Sequence, residues 1–332
     1  MKISNIVLAT ALLLMSTAAS AQQINGAGAT FPAPLYAKWG EATKTAINIE
    51  LNYQAIGSGG GQNQIFNRTV DFGASDAPVS ADKLVENHLS QVPTVMGAVV
   101  VIVNIPGVET NQVRLTGAVL ADIYSGKIRN WNNPAIQVLN PNKMLPLLAI
   151  APVYRADGSG TTYVWTSYLS KVSPNWAKTV GASTSVKWPT GNGAKGNDGV
   201  AATVKQVRGG IGYVESVYAS SNHLITTQLQ NADHKWVSPT AASFQAAAQN
   251  ADWAHAKNWS VDIINQPGSA SWPIVSATYL LLPRDAQNPA QSKLVANWIA
   301  WVYAHGSKLA LDMDYVPLPE SVQRQVLSEI NG

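Results

Sequence analysis

The chain has 332 residues with a formal net charge of +3, and only 12% of its residues are charged. It contains no cysteine, which excludes a disulfide framework, thiol chemistry, cysteine-ligated metals and a lipid anchor on cysteine. Lysines and arginines are scattered, without the clusters that follow a nucleic acid backbone, so nucleic acid is not an expected partner. Capture of a small anion stays open, because it needs a few converging donors rather than a basic surface.

The N-terminus has the pattern of a secretory signal peptide. Lys2 is followed by an apolar run over residues 6–15 and by small residues that end in an Ala19-x-Ala21 pattern. A basic start, a short apolar core and such a cleavage site predict export, with cleavage after Ala21. No later apolar stretch is long enough to cross a bilayer. We therefore expect residues 22–332 to form a periplasmic protein. A buried N-terminal helix would account less well for the cleavage-site residues.

Two glycine-containing junctions near the start of the mature chain each lead from a predicted strand into a helix. At the first, Pro32 suits the first turn of a helix and Thr30 stands where an N-cap belongs. The second, residues 56–61, follows the alternating strand 48–54 and carries Ser58 at the helix entry. Caps and tight turns explain each junction separately, but they explain the recurrence of a hydroxyl less well.

The next segments contain a carboxylate and two long apolar strands. Residues 70–78 predict a short strand that ends in a turn, where Asp76 would by default be an Asx-turn residue or a helix cap. Residues 93–105 are the longest apolar strand, long enough to run from one lobe into another. Residues 274–282 form the natural return strand.

The third junction is the heptapeptide at residues 155–161, Arg-Ala-Asp-Gly-Ser-Gly-Thr, between the apolar run 147–153 and a helix. The first N–H groups of a helix lack partners and its dipole is positive there, so this is a potential anion site. Glycine permits close approach, the hydroxyls add donors, and Arg155 adds a forked cation. Taken alone, the heptapeptide also fits an ordinary capped helix, with Asp157 or Ser159 as N-cap and Arg155 in a surface ion pair.

A literal G-x-G-x-x-G occurs at residues 191–196, before a predicted helix, with Glu215 at a suitable distance beyond it. The stretch before it is polar and contains Pro189, so no buried strand feeds the turn. We therefore reject a dinucleotide site and interpret the segment as a flexible loop capped by Asn197 or Asp198.

Alternating strands and helices predict α/β layers, and the length suggests two domains. Four motifs along the chain also resemble, in the same order, those of the periplasmic phosphate-binding proteins of bacterial phosphate-specific ABC transporters. They are INGAGATFPAP at 24–34, VDFGASDAP at 70–78, RADGSGT at 155–161 and GNDG at 196–199. The resemblance implies a type II periplasmic binding protein, in which two α/β lobes are joined by two crossover strands with the ligand cleft between them. The implied parts are the signal peptide 1–21, lobe I at 22–100 and 272–332, and lobe II at 101–271.

The resemblance also implies a set of phosphate-binding residues. These are Ala29, Thr30, Phe31, Ser58, Asp76, Arg155, Ser159, Gly160 and Thr161. In this set Asp76 is the carboxylate acceptor, and Arg155 is the guanidinium held by Asp157. Two positions depart from the family pattern, since Gly59 stands where members often carry a second serine and Tyr154 where another basic residue can occur.

The implied function is that of a receptor, not an enzyme, which binds inorganic phosphate and delivers it to an inner-membrane ABC permease and its ATPase. We also expect a monomer without cofactor or metal. A carboxylate beside an anion is repulsive unless the ligand carries a proton, as phosphate does and sulfate does not near neutral pH. Asp76 is therefore expected to discriminate against sulfate.

Two other classes of function stay open at this point. Ser58 or Ser159 could be the nucleophile of an extracytoplasmic phosphate-ester hydrolase, although neither lies in a G-x-S-x-G motif and no histidine or metal-ligand cluster is near in sequence. A surface adhesion protein with an incidental anion site would favour internal repeats or a large exposed apolar pattern, and the sequence shows neither.

Overall fold

The computed structural model describes residues 22–285 and 287–331, with only the backbone at residue 331. The signal peptide predicted over residues 1–21 lies outside the described residues. Within the described ranges, no helix combines the length and the apolar character that a membrane crossing requires.

The described chain alternates strands and helices, which confirms the predicted α/β class. The strands are β1 Gln22–Gly28, β2 Ile49–Ala55, β3 Phe72–Ser75, β4 Leu89–Val103, β5 Arg114–Leu115, β6 Ala151–Arg155, β7 Asn192–Ala194, β8 Gly210–Glu215, β9 Ile225–Thr226, β10 Gln228–Gln230, β11 Trp236–Val237 and β12 Val275–Pro283. The helices are α1 Ala33–Ile47, α2 Ser58–Phe66, α3 Ala81–Glu86, α4 Gly117–Tyr124, α5 Pro134–Gln137, α6 Gly160–Val172, α7 Pro174–Thr179, α8 Gly196–Gln206, α9 Ser216–Ser221, α10 Ala241–Ala248, α11 Pro289–His305, α12 Ser307–Leu311 and α13 Glu320–Asn331.

Most strands of the described chain belong to one nine-stranded sheet. Eight follow the order β2-β1-β3-β12-β4-β8-β6-β7, and β9 pairs with β4 off this path. On one side β1 is parallel to β2 and β3, and on the other β6 is parallel to β7 and β8. Within each side, parallel neighbours carry their turns to helices at the same edge. The antiparallel pairs β3–β12, β12–β4 and β4–β8 make the strands of the two sides run in opposite directions. Since the two sides pair with successive parts of β4, the carboxyl ends of their strands, where the predicted junctions lie, face each other.

The 15-residue strand β4 joins the two sides of the sheet. Its residues 89–98 pair with β12, whereas residues 99–103 pair with β8, both antiparallel. All of its residues except Ser90 are buried, which explains why the sequence is almost continuously apolar. The lobe boundary predicted after residue 100 stays a prediction and lies close to this change of strand partner.

One predicted strand is wrong in its extent. Residues 147–150 do not extend β6, and the Leu147 side chain is 81% exposed. Strand β8 offers partners to β6 only from Gly210 onward, so the residues before β6 have no neighbour in the sheet. They run beside another loop instead, where the Ile150 N–H donates to the Arg129 carbonyl at 2.8 Å.

Candidate functional site

The three glycine-containing junctions meet between the two predicted lobes. The end of β1 leads through residues 29–32 into α1, β2 leads to α2 at Ser58, and β6 leads to α6 at Gly160. The Gly59 N–H donates to the Gly158 carbonyl at 2.9 Å, which holds the start of α2 against the turn before α6. The hydroxyls that recur at these junctions therefore lie in one region of the molecule.

Ser58 connects two of these junctions through its buried hydroxyl. Its Oγ accepts the N–H of Gly160 at 3.0 Å and the N–H of Asp76 at 3.3 Å. A hydroxyl oxygen has two lone pairs, so both are occupied and only the proton is left to form a further bond. The Ser58 hydroxyl is consequently a donor.

Asp76 carries a buried carboxyl group beside Ser58. Its Oδ1 accepts the Thr278 hydroxyl at 2.8 Å, whereas its Oδ2 is buried without a hydrogen-bond partner in the described part of the chain. Burial raises the pKa of Asp76 to about 7, although the Thr278 hydrogen bond and the charge of Arg155 lower it. Asp76 does not cap the following helix, whose N-cap is Ser80. The carboxyl group instead directs an acceptor into the site.

Arg155 and Asp157 form a buried pair. Arg155 is 3% exposed, so the alternative of a surface ion pair is wrong. The guanidinium contacts both Asp157 oxygens, with Nε donating to Oδ1 at 2.7 Å. Burial alone would raise the pKa of Asp157, but the hydrogen bonds and charge of Arg155 outweigh it and the pKa lies below its usual value. The N–H of Gly196 also donates to this carboxylate, at 3.1 Å.

Arg155 has N–H donors that its contacts with Asp157 and Thr161 do not use. Its Nη1 donates to the Thr161 hydroxyl at 3.4 Å, and Asp157 takes bonds from Nε and Nη2. Because a guanidinium has five N–H donors, one remains on each terminal nitrogen. This is a fixed, forked cation suited to an oxyanion.

The start of α6 adds hydroxyl and backbone groups. Ser159 is the N-cap, as one interpretation of the sequence proposed, and its Oγ accepts the Thr162 N–H at 3.0 Å. Gly160 and Thr161 follow in the first turn and are buried. If Gly160 carried a Cβ, that atom would lie 2.5 Å from Asp76 Oδ2, so only glycine permits this approach.

Thr30 is not the N-cap of α1, because α1 begins at Ala33 with Pro32 as its N-cap. The Thr30 hydroxyl instead accepts two bonds from Asn197, from the backbone N–H at 3.3 Å and from Nδ2 at 2.8 Å. Nδ2 also donates to the Thr161 hydroxyl at 3.3 Å. Asn197 was interpreted from the sequence as a cap of a flexible loop, but it is fully buried between these threonines.

Ala29 and Phe31 flank Thr30 and bring only backbone groups. The Ala29 N–H donates to the Ala74 carbonyl at 3.0 Å, and the Ala29 carbonyl accepts the Tyr53 hydroxyl at 2.7 Å. Phe31 is fully buried. Because its phenyl side chain has no N–H or O–H group, the backbone N–H is the only donor that Phe31 can contribute to the region.

Glu215 is a buried acid that the sequence interpretation left without a role. Its Oε2 accepts the Val217 N–H at 2.9 Å and lies 3.1 Å from the Tyr315 hydroxyl, which is also 2.7 Å from the Phe31 carbonyl. Burial raises the pKa of Glu215 well above its usual value. The sequence feature that could have pointed to Glu215 was an acid at the end of an apolar strand. Thr278, a polar residue within the apolar strand β12, could have been found in the same way.

The site thus combines a buried forked cation, three hydroxyls whose lone pairs are occupied, and the Asp76 carboxyl oxygen Oδ2, which has no partner among the described residues. The Glu215 atom Oε1 is likewise buried without a partner in the described part of the chain. The three hydroxyls belong to Ser58, Thr30 and Thr161. Such a set suits a small oxyanion that itself carries a proton. Among the described residues, no group of three or more His, Asp or Glu side chains is arranged to hold a metal ion.

Comparisons with known proteins show the family to which the chain belongs. Residues 15–305 match the model of the PBP superfamily domain. The phosphate-binding protein PstS of Pasteurella multocida strain Pm70 is 48% identical over 320 residues, which cover 96% of this chain and 93% of that protein.

Solved structures show the fold. The high-affinity periplasmic phosphate-binding protein PfluDING, solved with bound phosphate, has a TM-score of 0.74 at 21% identity, covering 92% of this chain and 93% of that one. An ABC-type phosphate transport receptor from Vibrio cholerae has a TM-score of 0.57 at 18% identity, covering 90% of this chain and 100% of that one. The predicted type II periplasmic binding protein fold is thereby confirmed.

Proposed function

Because this chain belongs to the PBP superfamily and, within it, to the family of PstS phosphate-binding proteins, we propose that it binds inorganic phosphate as an extracytoplasmic receptor. The ligand would lie between lobe I and lobe II, held by the residues that the sequence resemblance implied. We further propose that the receptor works as a monomer in the periplasm after cleavage behind Ala21.

The observation that carries this proposal is the match between the buried polar groups and protonated phosphate. Asp76 Oδ2 is a buried acceptor that no described residue supplies with a donor, and such a group costs free energy unless a proton is supplied. Monohydrogen phosphate offers one proton for that oxygen, and its other oxygens accept from the hydroxyls and from Arg155. Sulfate offers no proton, so one of its oxygens would face Asp76 Oδ2 with no hydrogen between the two acceptors.

The groups near the two candidate nucleophiles favour a receptor over a phosphate-ester hydrolase. Ser58 Oγ accepts two backbone N–H groups, and Ser159 Oγ accepts the N–H of Thr162. A serine nucleophile needs a base that accepts its proton, and within residues 22–285 and 287–331 neither hydroxyl has a histidine or lysine side chain as a hydrogen-bond partner. This supports the proposal that the polar groups serve binding.

Delivery to a transporter would follow from closure of the lobes. Donors from both lobes converge only in the arrangement where Gly59 meets Gly158 and Thr30 meets Asn197. A ligand that contacts both lobes stabilises this closed arrangement relative to an open one. We propose that an inner-membrane ABC permease with its ATPase recognises the closed form and imports the phosphate.

The direct test is calorimetric titration of residues 22–332 that have been unfolded, dialysed and refolded to remove bound ligand. We expect saturable binding of one phosphate per chain, unchanged when excess sulfate is present. If sulfate competed equally with phosphate, the ligand of the receptor would be oxyanions in general rather than phosphate. Absence of binding, together with turnover of a phosphate ester, would support the hydrolase instead.

Gly160→Ala should weaken phosphate binding by about 10-fold to 100-fold, because overpacking typically costs about 1–3 kcal/mol. The added Cβ would lie 2.5 Å from Asp76 Oδ2 and 2.6 Å from Ser58 Oγ, so lobe closure would be obstructed. Calorimetry measures the affinity. Gly199→Ala is the matched control, since its nearest contact would be an ordinary 3.5 Å. Equal affinities of the two variants would contradict the assigned close approach.

A further inference from the structure

We propose that Asn197 is a positioning residue that turns the hydroxyls of Thr30 and Thr161 into one-way donors toward the anion. The inference rests on the proposed phosphate function and assigns a role to a residue that the sequence had suggested only as the cap of a flexible loop. Thr30 belongs to predicted lobe I, whereas Thr161 and Asn197 belong to predicted lobe II. One side-chain amide therefore serves hydroxyls on both sides of the cleft.

The orientation of the Asn197 amide follows from its partners. Its Oδ1 accepts the backbone N–H of Glu215 at 3.1 Å. A backbone N–H cannot accept a hydrogen bond, so the oxygen must face Glu215 and the NH₂ group must face the threonines. The two amide protons then go to Thr30 Oγ1 at 2.8 Å and Thr161 Oγ1 at 3.3 Å.

These bonds occupy every lone pair of the two hydroxyl oxygens. Thr30 Oγ1 receives both the backbone N–H and the side-chain N–H of Asn197. Thr161 Oγ1 receives Asn197 Nδ2 and Arg155 Nη1. Since a hydroxyl oxygen has two lone pairs, each threonine is left with its proton alone. Neither hydroxyl can then present a lone pair to an anion. A lone pair in that position would repel the anion.

Asn197 itself is held rigidly. It is fully buried, and the N–H of the preceding Gly196 donates to the Asp157 carboxylate at 3.1 Å. The same carboxylate holds Arg155. The orienting amide and the forked cation are therefore fixed by one acid. The donors of predicted lobe II, Arg155 and Thr161, are thus arranged before the lobes close, which lowers the ordering cost of binding.

The test compares Asn197→Asp with Asn197→Ala in phosphate titrations of the full mature chain at pH 8. An ionised Asp has the shape of Asn but only accepts, so both threonine protons would turn toward it and away from phosphate. We expect an affinity loss of about 100-fold or more for Asn197→Asp, against about 10-fold for Asn197→Ala, whose hydroxyls rotate freely. Lowering the pH should narrow the difference between the two variants, because a protonated Asp can donate one bond.

A second background separates orientation from simple charge repulsion. Thr30→Val removes the hydroxyl that Asn197 orients. In that background the loss of phosphate affinity caused by Asn197→Asp should be smaller than in the wild type by at least about threefold, because the effects of substitutions at contacting residues are not additive. An unchanged cost, or equal losses for the Asp and Ala variants at every pH, would overturn the inference and leave Asn197 a packing residue. Thermal unfolding without phosphate checks that each variant folds. If the wild-type protein bound no phosphate, the proposed function itself would be wrong.

Discussion

Arg155→Lys should weaken phosphate binding by about 100-fold or more, although the substitution keeps the positive charge. The guanidinium uses part of its fork on Asp157 and Thr161 and keeps one N–H on each terminal nitrogen for the ligand. An ammonium is a point charge that cannot make these bonds together. Losing two charge-assisted hydrogen bonds at about 1.5–3 kcal/mol each accounts for the expected loss.

Calorimetric titration of the variant with phosphate measures this effect. Arg129→Lys is the control, because Arg129 is exposed and its Nε only donates to the Gly126 carbonyl. The control should bind phosphate like the wild type. If Arg155→Lys also bound within a few-fold of the wild type, the cation would act through its charge alone and the forked contact would have no role.

Asp76→Asn should admit sulfate, with an affinity gain of about 100-fold, because it replaces an unpaired acceptor by a donor. Thr278 donates to Oδ1 of this side chain. In the variant the amide oxygen would keep that bond, which places the NH₂ group where Oδ2 now lies. A sulfate oxygen could then accept from it. Phosphate loses the acceptor for its proton but also loses a repulsive charge, so its affinity should change much less.

The measurement is the ratio of phosphate to sulfate dissociation constants in the wild type and the variant. Asp82→Asn, on the exposed face of α3, removes a similar charge without touching the site and should leave the ratio unchanged. A ratio in Asp76→Asn equal to that of the wild type would show that selectivity resides elsewhere. Because burial raises the pKa of Asp76 to about 7, mildly basic buffer is the suitable condition, since the carboxylate form predominates only above that pH.

Local patterns in the chain were sufficient for its main elements. Alternation and apolar runs predicted the α/β class, the long strand β4 and its return strand β12, because these elements are buried on both faces and their sequences must be apolar. The three glycine junctions were also visible, since close backbone approach leaves no room for a side chain at positions such as Gly160. The motif order led to the correct family, although the roles of the individual site residues remain predictions.

Partnerships between distant residues could be decided only by the tertiary structure. Thr30 looked like a helix cap because a hydroxyl before a proline is typical of one, but its partner is Asn197, 167 positions away. Asp76 meets Thr278 across 202 positions, and Glu215 meets Tyr315 across 100. Each of these groups could also serve as a local cap or turn residue, and the neighbouring sequence does not name its distant partner. The sequence by itself therefore determined where donors and acceptors occur, and folding decided which lone pairs they fill and which proton or oxygen is left for the ligand.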